Sequence, residues 1–287
     1  MSGPFQTEKF RFGACEVESC QKQSGIKSRQ LLRLETVSTG MEQAALIRAG
    51  PELTAGTARG VGELELIESI LSGWGAALMS VLTQLGDFWF LTALLGLCFW
   101  RLPEQRASVV ALFATALGGF GLYRALKYAF EFPRPEVTPI EPAAVPELFR
   151  PLYENAIAAG GYGFPSGHAT TATILYVGLV FVVPIGTGRQ RVAGAAGTIA
   201  VVCFSRIALG VHNLVDVIGG IGTGLLALAV LFVLPNRYLP GQRVFVALVA
   251  AVPLAGSYVL ASGGDKTAVQ VAGLAVVTMI GWWAFDR

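Results

Sequence analysis

Seven apolar runs, at roughly 87–100, 107–130, 168–185, 191–210, 213–234, 243–262 and 268–285, leave this chain few ways to fold. Most approach the ~20 residues that an α-helix needs to cross a bilayer. A segment in lipid must satisfy its own backbone hydrogen bonds, so such runs are expected as helices. Composition agrees: 53% of residues are hydrophobic and 14% charged, against about 25% charged in an ordinary soluble domain. Mean hydropathy is +0.59. Glycine recurs inside the runs, as expected where helices approach closely. Aromatic residues mark several ends, including Phe88-Trp89-Phe90, Phe99-Trp100 and Trp282-Trp283. The expected fold class is all-α, a polytopic transmembrane helix bundle of about six or seven spans.

The remaining chain divides by character. Residues 1–65 are polar, lack a sustained apolar period and are expected to be weakly ordered. No apolar core of the signal-peptide kind begins the sequence. Character shifts near Met41, where translation is expected to start; a tryptic peptide such as Phe12–Lys22 from the intact protein would contradict that. Residues 66–86 are moderately apolar, led in by Glu63, Glu65 and Glu68, and run into Asp87 with no room to reverse direction. They are expected as an amphipathic helix at the membrane interface. A bundle over 87–235 and two further transmembrane helices over 236–287 complete the organisation. A net charge of +2 without a basic tract excludes a nucleic-acid partner. Cys98 and Cys203 sit in apolar runs, and no His or further Cys lies near Cys15 and Cys20 to complete a metal site.

Loop composition orients the spans. The connections 101–106, 189–191 and 236–243 are short and basic, which places them in the cytoplasm. The long 131–167 segment, the junction at 210–212 and the turn at 262–267 then share the opposite, extracytoplasmic face. The long segment carries Pro133, Pro135, Pro139, Pro142, Pro146 and Pro151 and is expected to lack regular structure.

Both histidines of the chain fall on that face. His212 and Asp216 are four residues apart and share a helical face if a helix starts near His212. A carboxylate there can fix the imidazole tautomer. Arg206 lies just before, across Gly210, and offers a planar cation suited to phosphate. A charged connector between two spans would look much the same. Lys127 and Arg134 border the long loop at the end of the 107–130 run, where membrane anchors are also common; Arg124, one turn earlier, fits the anchor role better. Pro165-Ser166-Gly167-His168 opens another run, with Ser166 placed to cap and free amides available to an anion. Each cluster has an ordinary structural explanation, but together they supply cations, amides, two histidines and a carboxylate on one face. That set suits a tetrahedral oxyanion, with histidines for nucleophilic and acid–base work.

Lys127, six intervening residues and Arg134-Pro135, then Pro165-Ser166-Gly167-His168, then Ser205-Arg206 with His212 and Asp216 resemble the three-part signature of the type 2 phosphatidic acid phosphatase (PAP2) superfamily. The likeness covers about residues 87–235, and the apolar spans favour its membrane phosphatases over its soluble vanadium haloperoxidases. The resemblance implies His212 as a nucleophile forming a phosphohistidine, Asp216 as its orienting group and His168 as the acid, then the base. It also implies phosphate binding by Lys127, Arg134, Ser166, the Gly167 amide and Arg206, with no metal and no cofactor. The expected activity is hydrolysis of a lipid phosphate or polyprenyl (pyro)phosphate at the outer face of the cell membrane. The alternatives are a lipid phosphotransferase using the same intermediate and a non-catalytic lipid-binding or transport protein.

Overall fold

The computed structural model describes residues 60, 62–135, 140–158 and 160–285. Expectations for residues 1–59, including Met41, Cys15 and Cys20, lie outside the described residues. In chain order the helices are α1 (Glu63–Ile70), α2 (Gly73–Leu82), α3 (Phe88–Arg101), α4 (Arg106–Phe130), α5 (Arg150–Ile157), α6 (Gly167–Val182), α7 (Gly188–Ala208), α8 (Leu214–Leu228), α9 (Leu234–Tyr238), α10 (Arg243–Ala261) and α11 (Lys266–Phe285). A π turn over Ala229–Val233 joins α8 to α9 in one continuous span. The described residues form an all-helical, multi-pass membrane fold.

Five helical stretches are long and apolar enough to cross a membrane: Pro103–Phe130, Gly188–Ala208, Leu214–Tyr238, Arg243–Ala261 and Lys266–Phe285. A sixth is formed if the pair Gly73–Gly86 and Phe88–Arg101, bent by 51°, is one broken span. The stretch expected as a single helix over 66–86 is instead divided, with Leu71 extended between α1 and α2 and a 3-10 turn over Thr83–Gly86. The run expected over 168–185 is also shorter, because α6 has 16 residues and stops before Pro184. At 1.5 Å per residue it is about 24 Å long, less than the ~30 Å hydrocarbon core. Its first turn carries His168, which is half-buried.

Helix α4 is the hub. Two-thirds of its most apolar window is buried, against 17% for α11 at the rim. Its buried face is small-residue-rich, including Ala111, Ala114, Gly118, Gly119 and Gly121. At Gly121 a β-carbon would stand 2.6 Å from the Ala255 backbone, so only glycine lets α4 and α10 pack this closely. Outward-facing Phe181, Phe204, Ile218, Leu226, Phe245 and Ile280 are exposed. In water such a surface would aggregate; in lipid it is the solvent-facing side.

The 140–158 stretch is more regular than its prolines suggest, because α5 begins with Pro151 in its first turn, where no amide is required. Tyr153 is fully buried, and its hydroxyl donates to the Ile140 carbonyl at 2.6 Å. Ala76 and Ala77 of α2 pack with Val145, Tyr153, Leu209 and Val211. This cluster supports the chain immediately before His212.

Candidate active site

The residues singled out in the sequence meet at one end of the bundle, where α4 and α7 end and α6 and α8 begin. Lys127 is in the last turn of α4 and is 5% exposed. Its ammonium donates to the carbonyls of Tyr162 (2.5 Å) and Gly163 (3.0 Å). Glu131 ends the helix in the left-handed region, with φ 52°, a conformation that costs a non-glycine residue about 1–2 kcal/mol. The chain then runs antiparallel to the segment before α6: the Gly163 amide donates to the Phe132 carbonyl at 2.7 Å. Arg134 completes the clasp, its Nε donating to the Gly160 and Gly161 carbonyls at 3.3 and 3.1 Å. Thus the Lys127–Arg134 and Gly160–Gly163 segments are held together by backbone carbonyls as much as by side chains.

Gly210, with φ 68°, makes the turn that reverses the chain between α7 and α8. His212 lies in that turn, before the helix; α8 starts at Leu214 with Asn213 as its N-cap. The expectation of a shared helical face is therefore replaced by a capping arrangement. Asp216 is the third helical residue, and its Oδ2 accepts the Asn213 amide at 3.1 Å. The same oxygen faces His212 Nδ1 at 3.4 Å. On the other side of the ring, Arg134 Nη1 is 3.1 Å from Nε2 and also donates to the Val211 carbonyl at 2.9 Å. An arginine can only donate, so Nε2 must be the unprotonated nitrogen and Nδ1–H the one turned to Asp216. Burial, then Arg134, Lys127, Arg206 and His168, hold the His212 pKa well below the ordinary histidine range. A neutral imidazole with its lone pair on Nε2 is the nucleophilic form.

The start of α6 is tied to the same place. The Ser166 amide donates to the Asp216 carbonyl at 2.8 Å, and Thr170 Oγ1 donates to the Gly220 carbonyl at 3.1 Å. Ser166 occupies the N-cap position but makes no side-chain cap, contrary to expectation. Its hydroxyl is buried without a hydrogen-bond partner. Arg206, 3% exposed, donates from Nη1 to Thr83 Oγ1 at 2.9 Å, while its Nε is buried without a partner. Ser166 and Arg206 thus retain donors that an oxyanion can use.

Sequence reasoning missed the Thr83–Asp87 segment. Thr83 orients Arg206; the Gly86 carbonyl accepts from Thr171 Oγ1 at 3.0 Å, and the Leu85 carbonyl accepts from Tyr176 at 2.8 Å. A β-carbon on Gly86 would stand 3.2 Å from the His168 ring. No local pattern flags these positions, since their partners are on α6 and α7. Among the described residues no three His, Cys, Asp or Glu side chains form a metal-binding group.

Comparisons with known proteins cover the helices that carry these residues. The sequence description of the PAP2 superfamily matches residues 107–239, which contain Lys127, Arg134, His168, Arg206, His212 and Asp216. Phosphatidylglycerophosphatase B of Bacillus subtilis (strain 168) is 29% identical over 164 residues, covering 53% of this chain and 71% of that protein. A crystal structure of a transmembrane PAP2 type phosphatidylglycerolphosphate phosphatase from Bacillus subtilis has the same fold, with a TM-score of 0.50 at 22% identity. It covers 68% of this chain and 90% of the other. Residues 107–239 of the chain are thus similar to the PAP2 superfamily.

Proposed function

We infer that this protein is an integral-membrane phosphatase that removes phosphate from a lipid or polyprenyl phosphate through a phosphohistidine. The observation that carries this is the polarisation of His212: Nδ1–H faces Asp216, and the Nε2 lone pair faces the Arg134 guanidinium. His212 Nε2 attacks phosphorus as the P–O bond to the leaving group breaks. His168 gives its proton to the departing oxygen, then takes one from the water that hydrolyses the N–P bond and returns His212 to its neutral form. Lys127, Arg134, Arg206, Ser166 and the Gly167 amide bind the non-bridging oxygens and stabilise the charge that grows on them. Asp216 holds the imidazole and stabilises its positive charge.

With cations and amides arranged to take up this charge, the reaction proceeds without a metal. The basic loops face the cytoplasm and the site opens on the opposite side of the cell membrane. Residues 140–158 shape the entrance. The functions of the Bacillus relatives support a glycerophospholipid monophosphate ester as the substrate class.

Phosphate release by the purified full-length protein tests this function. The assay takes phosphatidate, phosphatidylglycerophosphate and a polyprenyl pyrophosphate, each with and without excess chelator. Release from at least one lipid, unchanged by chelator, is expected; strict metal dependence would reject the metal-free mechanism. His168→Asn should lower turnover of these lipids by about 10²–10⁴-fold, with a smaller loss on an aryl phosphate whose leaving group needs no proton.

A further inference from the structure

A cavity of about 570 Å³ opens beside His168, and His212 is not among the residues that line it. In a displacement with His212 on one side of phosphorus and His168 on the other, the leaving group departs on the His168 side. The cavity is therefore placed to hold the part of the substrate that leaves. Two of its walls, at Gly86–Trp89 and Thr267–Leu274, come from outside the matched segment 107–239.

Arg124 lines this cavity. It was expected to be an interfacial anchor, yet its guanidinium is held among aromatic rings, 5.5 Å from the centre of Phe120, 5.9 Å from Tyr123 and 5.4 Å from Tyr258. Such packing fixes the direction of the fork. The guanidinium meets the Tyr123 side chain, but Arg124 Nε is buried without a hydrogen-bond partner, and no ion pair engages this arginine among the described residues. Asp87, the nearest acid on the cavity wall, uses Oδ1 to accept the Trp89 amide at 2.8 Å. Thr267 and Gln270 add neutral hydrogen-bonding groups, while Phe88, Trp89, Val271 and Leu274 make the remainder apolar. The cavity thus offers one oriented cation, a few hydrogen-bonding groups and an apolar floor.

We propose that Arg124 is a specificity-determining residue that binds a second, anionic phosphate group carried by the leaving group of the substrate. This rests on the phosphatase function proposed for the same site. The reacting phosphate is held by Lys127, Arg134 and Arg206; the second phosphate lies beyond His168, against Arg124. A hydroxyl on the leaving group meets Asp87, Thr267 or Gln270, and its hydrocarbon lies along the apolar floor. Two lipid chemistries place a second phosphate there: a headgroup phosphodiester and the remaining phosphate of a pyrophosphate. Phosphatidate carries neither.

The test is kcat/KM of purified full-length protein in mixed micelles on phosphatidate, phosphatidylglycerophosphate and farnesyl pyrophosphate, for wild type, Arg124→Gln and Arg124→Lys. Wild type is expected to prefer a doubly charged substrate, with the diester and pyrophosphate arms distinguishing the two sources. Arg124→Gln should reduce that preference about tenfold to a hundredfold, the range of a charge-assisted hydrogen bond, and Arg124→Lys should restore part of it. Activity on phosphatidate falls much less and reports that the variant is folded. Equal loss on all three substrates, or no preference in wild type, overturns the role of Arg124 alone. Failure of wild type to release phosphate from any of them overturns the phosphatase function as well.

Discussion

Arginines at the two ends of the helical bundle sit in different physical surroundings. At the end bearing the short basic loops, Arg101, Arg189 and Arg237 are exposed. Arg191 there uses Nη1 to cap the Val180 and Val183 carbonyls of α6, both at 2.8 Å, and Arg106 donates to the Phe99 carbonyl at 3.2 Å. Arg101, Arg189 and Arg237 remain near water, while Arg106 and Arg191 are half-buried and satisfy helix ends, where positive charge is favourable, although Arg191 Nε is itself buried without a partner. At the other end Lys127 and Arg206 are buried close together with Arg134, and Asp216 is the only carboxylate that meets His212 among the described residues. Burying like charges this way opposes folding. One end uses charge to finish helices; the other keeps charge available at a cost in stability, as expected of a site that takes up an anion.

Substitutions at the two ends should therefore move stability and activity in different directions. The largest effect is expected from His212→Ala, which should lower lipid phosphate release by at least about 10⁴-fold while the protein keeps its helicity. Wild-type activity in that variant would reject the mechanism. Arg206→Met should lower kcat/KM by about a hundredfold or more, yet leave thermal stability unchanged or raised by up to about 2 kcal/mol. A cooperative loss of fold in Arg206→Met would place this arginine with the structural ones. The reverse is expected of Arg191→Gln: stability falls by about 1 kcal/mol, while activity per folded molecule stays within about twofold. The smallest effect concerns pH. His212 must be neutral to attack, and burial followed by Arg134 holds its pKa low, so the acidic limb of kcat/KM should lie below about pH 6.5. In the unfolded chain the same histidine binds a proton more readily. Its contribution to stability is therefore intact above the unfolded pKa and is lost as pH falls below it. An acidic limb above pH 7 assigned to His212 would contradict this electrostatic account.

What the sequence revealed, and what it hid, follows the same division. Lys127, Arg134, Ser166, Gly167, His168, Arg206, His212 and Asp216 were legible because each stands at a helix end between long apolar runs. The alternation of spans brings those ends together, as the structure places them. The all-helical, multi-span architecture was legible for the same reason, but five or six stretches among the described residues, not six or seven, are long and apolar enough to cross a membrane, because the run over 168–185 forms a helix of only 16 residues. Contacts over long sequence distances were not: Thr83 meets Arg206 across 123 residues, and Gly86 meets Thr171 across 85. Local propensity also misled at Ser166, where a cap was expected. The Asp216 carbonyl engages its amide, and the hydroxyl makes no cap. Pro151 likewise signalled irregular chain but sits where proline starts a helix. Arg124 could not be distinguished from an anchor, because its aromatic surroundings include Tyr258 from α10.

The central claim is that His212 Nε2 forms a bond to phosphorus, and rapid acid-free quenching of purified protein during turnover of ³²P-labelled lipid tests it most directly. Label should appear on the protein as an acid-labile, base-stable phosphoramidate, map to the peptide containing His212 and be absent in His212→Ala. Turnover without any protein-bound label, or label that persists in His212→Ala, would contradict it.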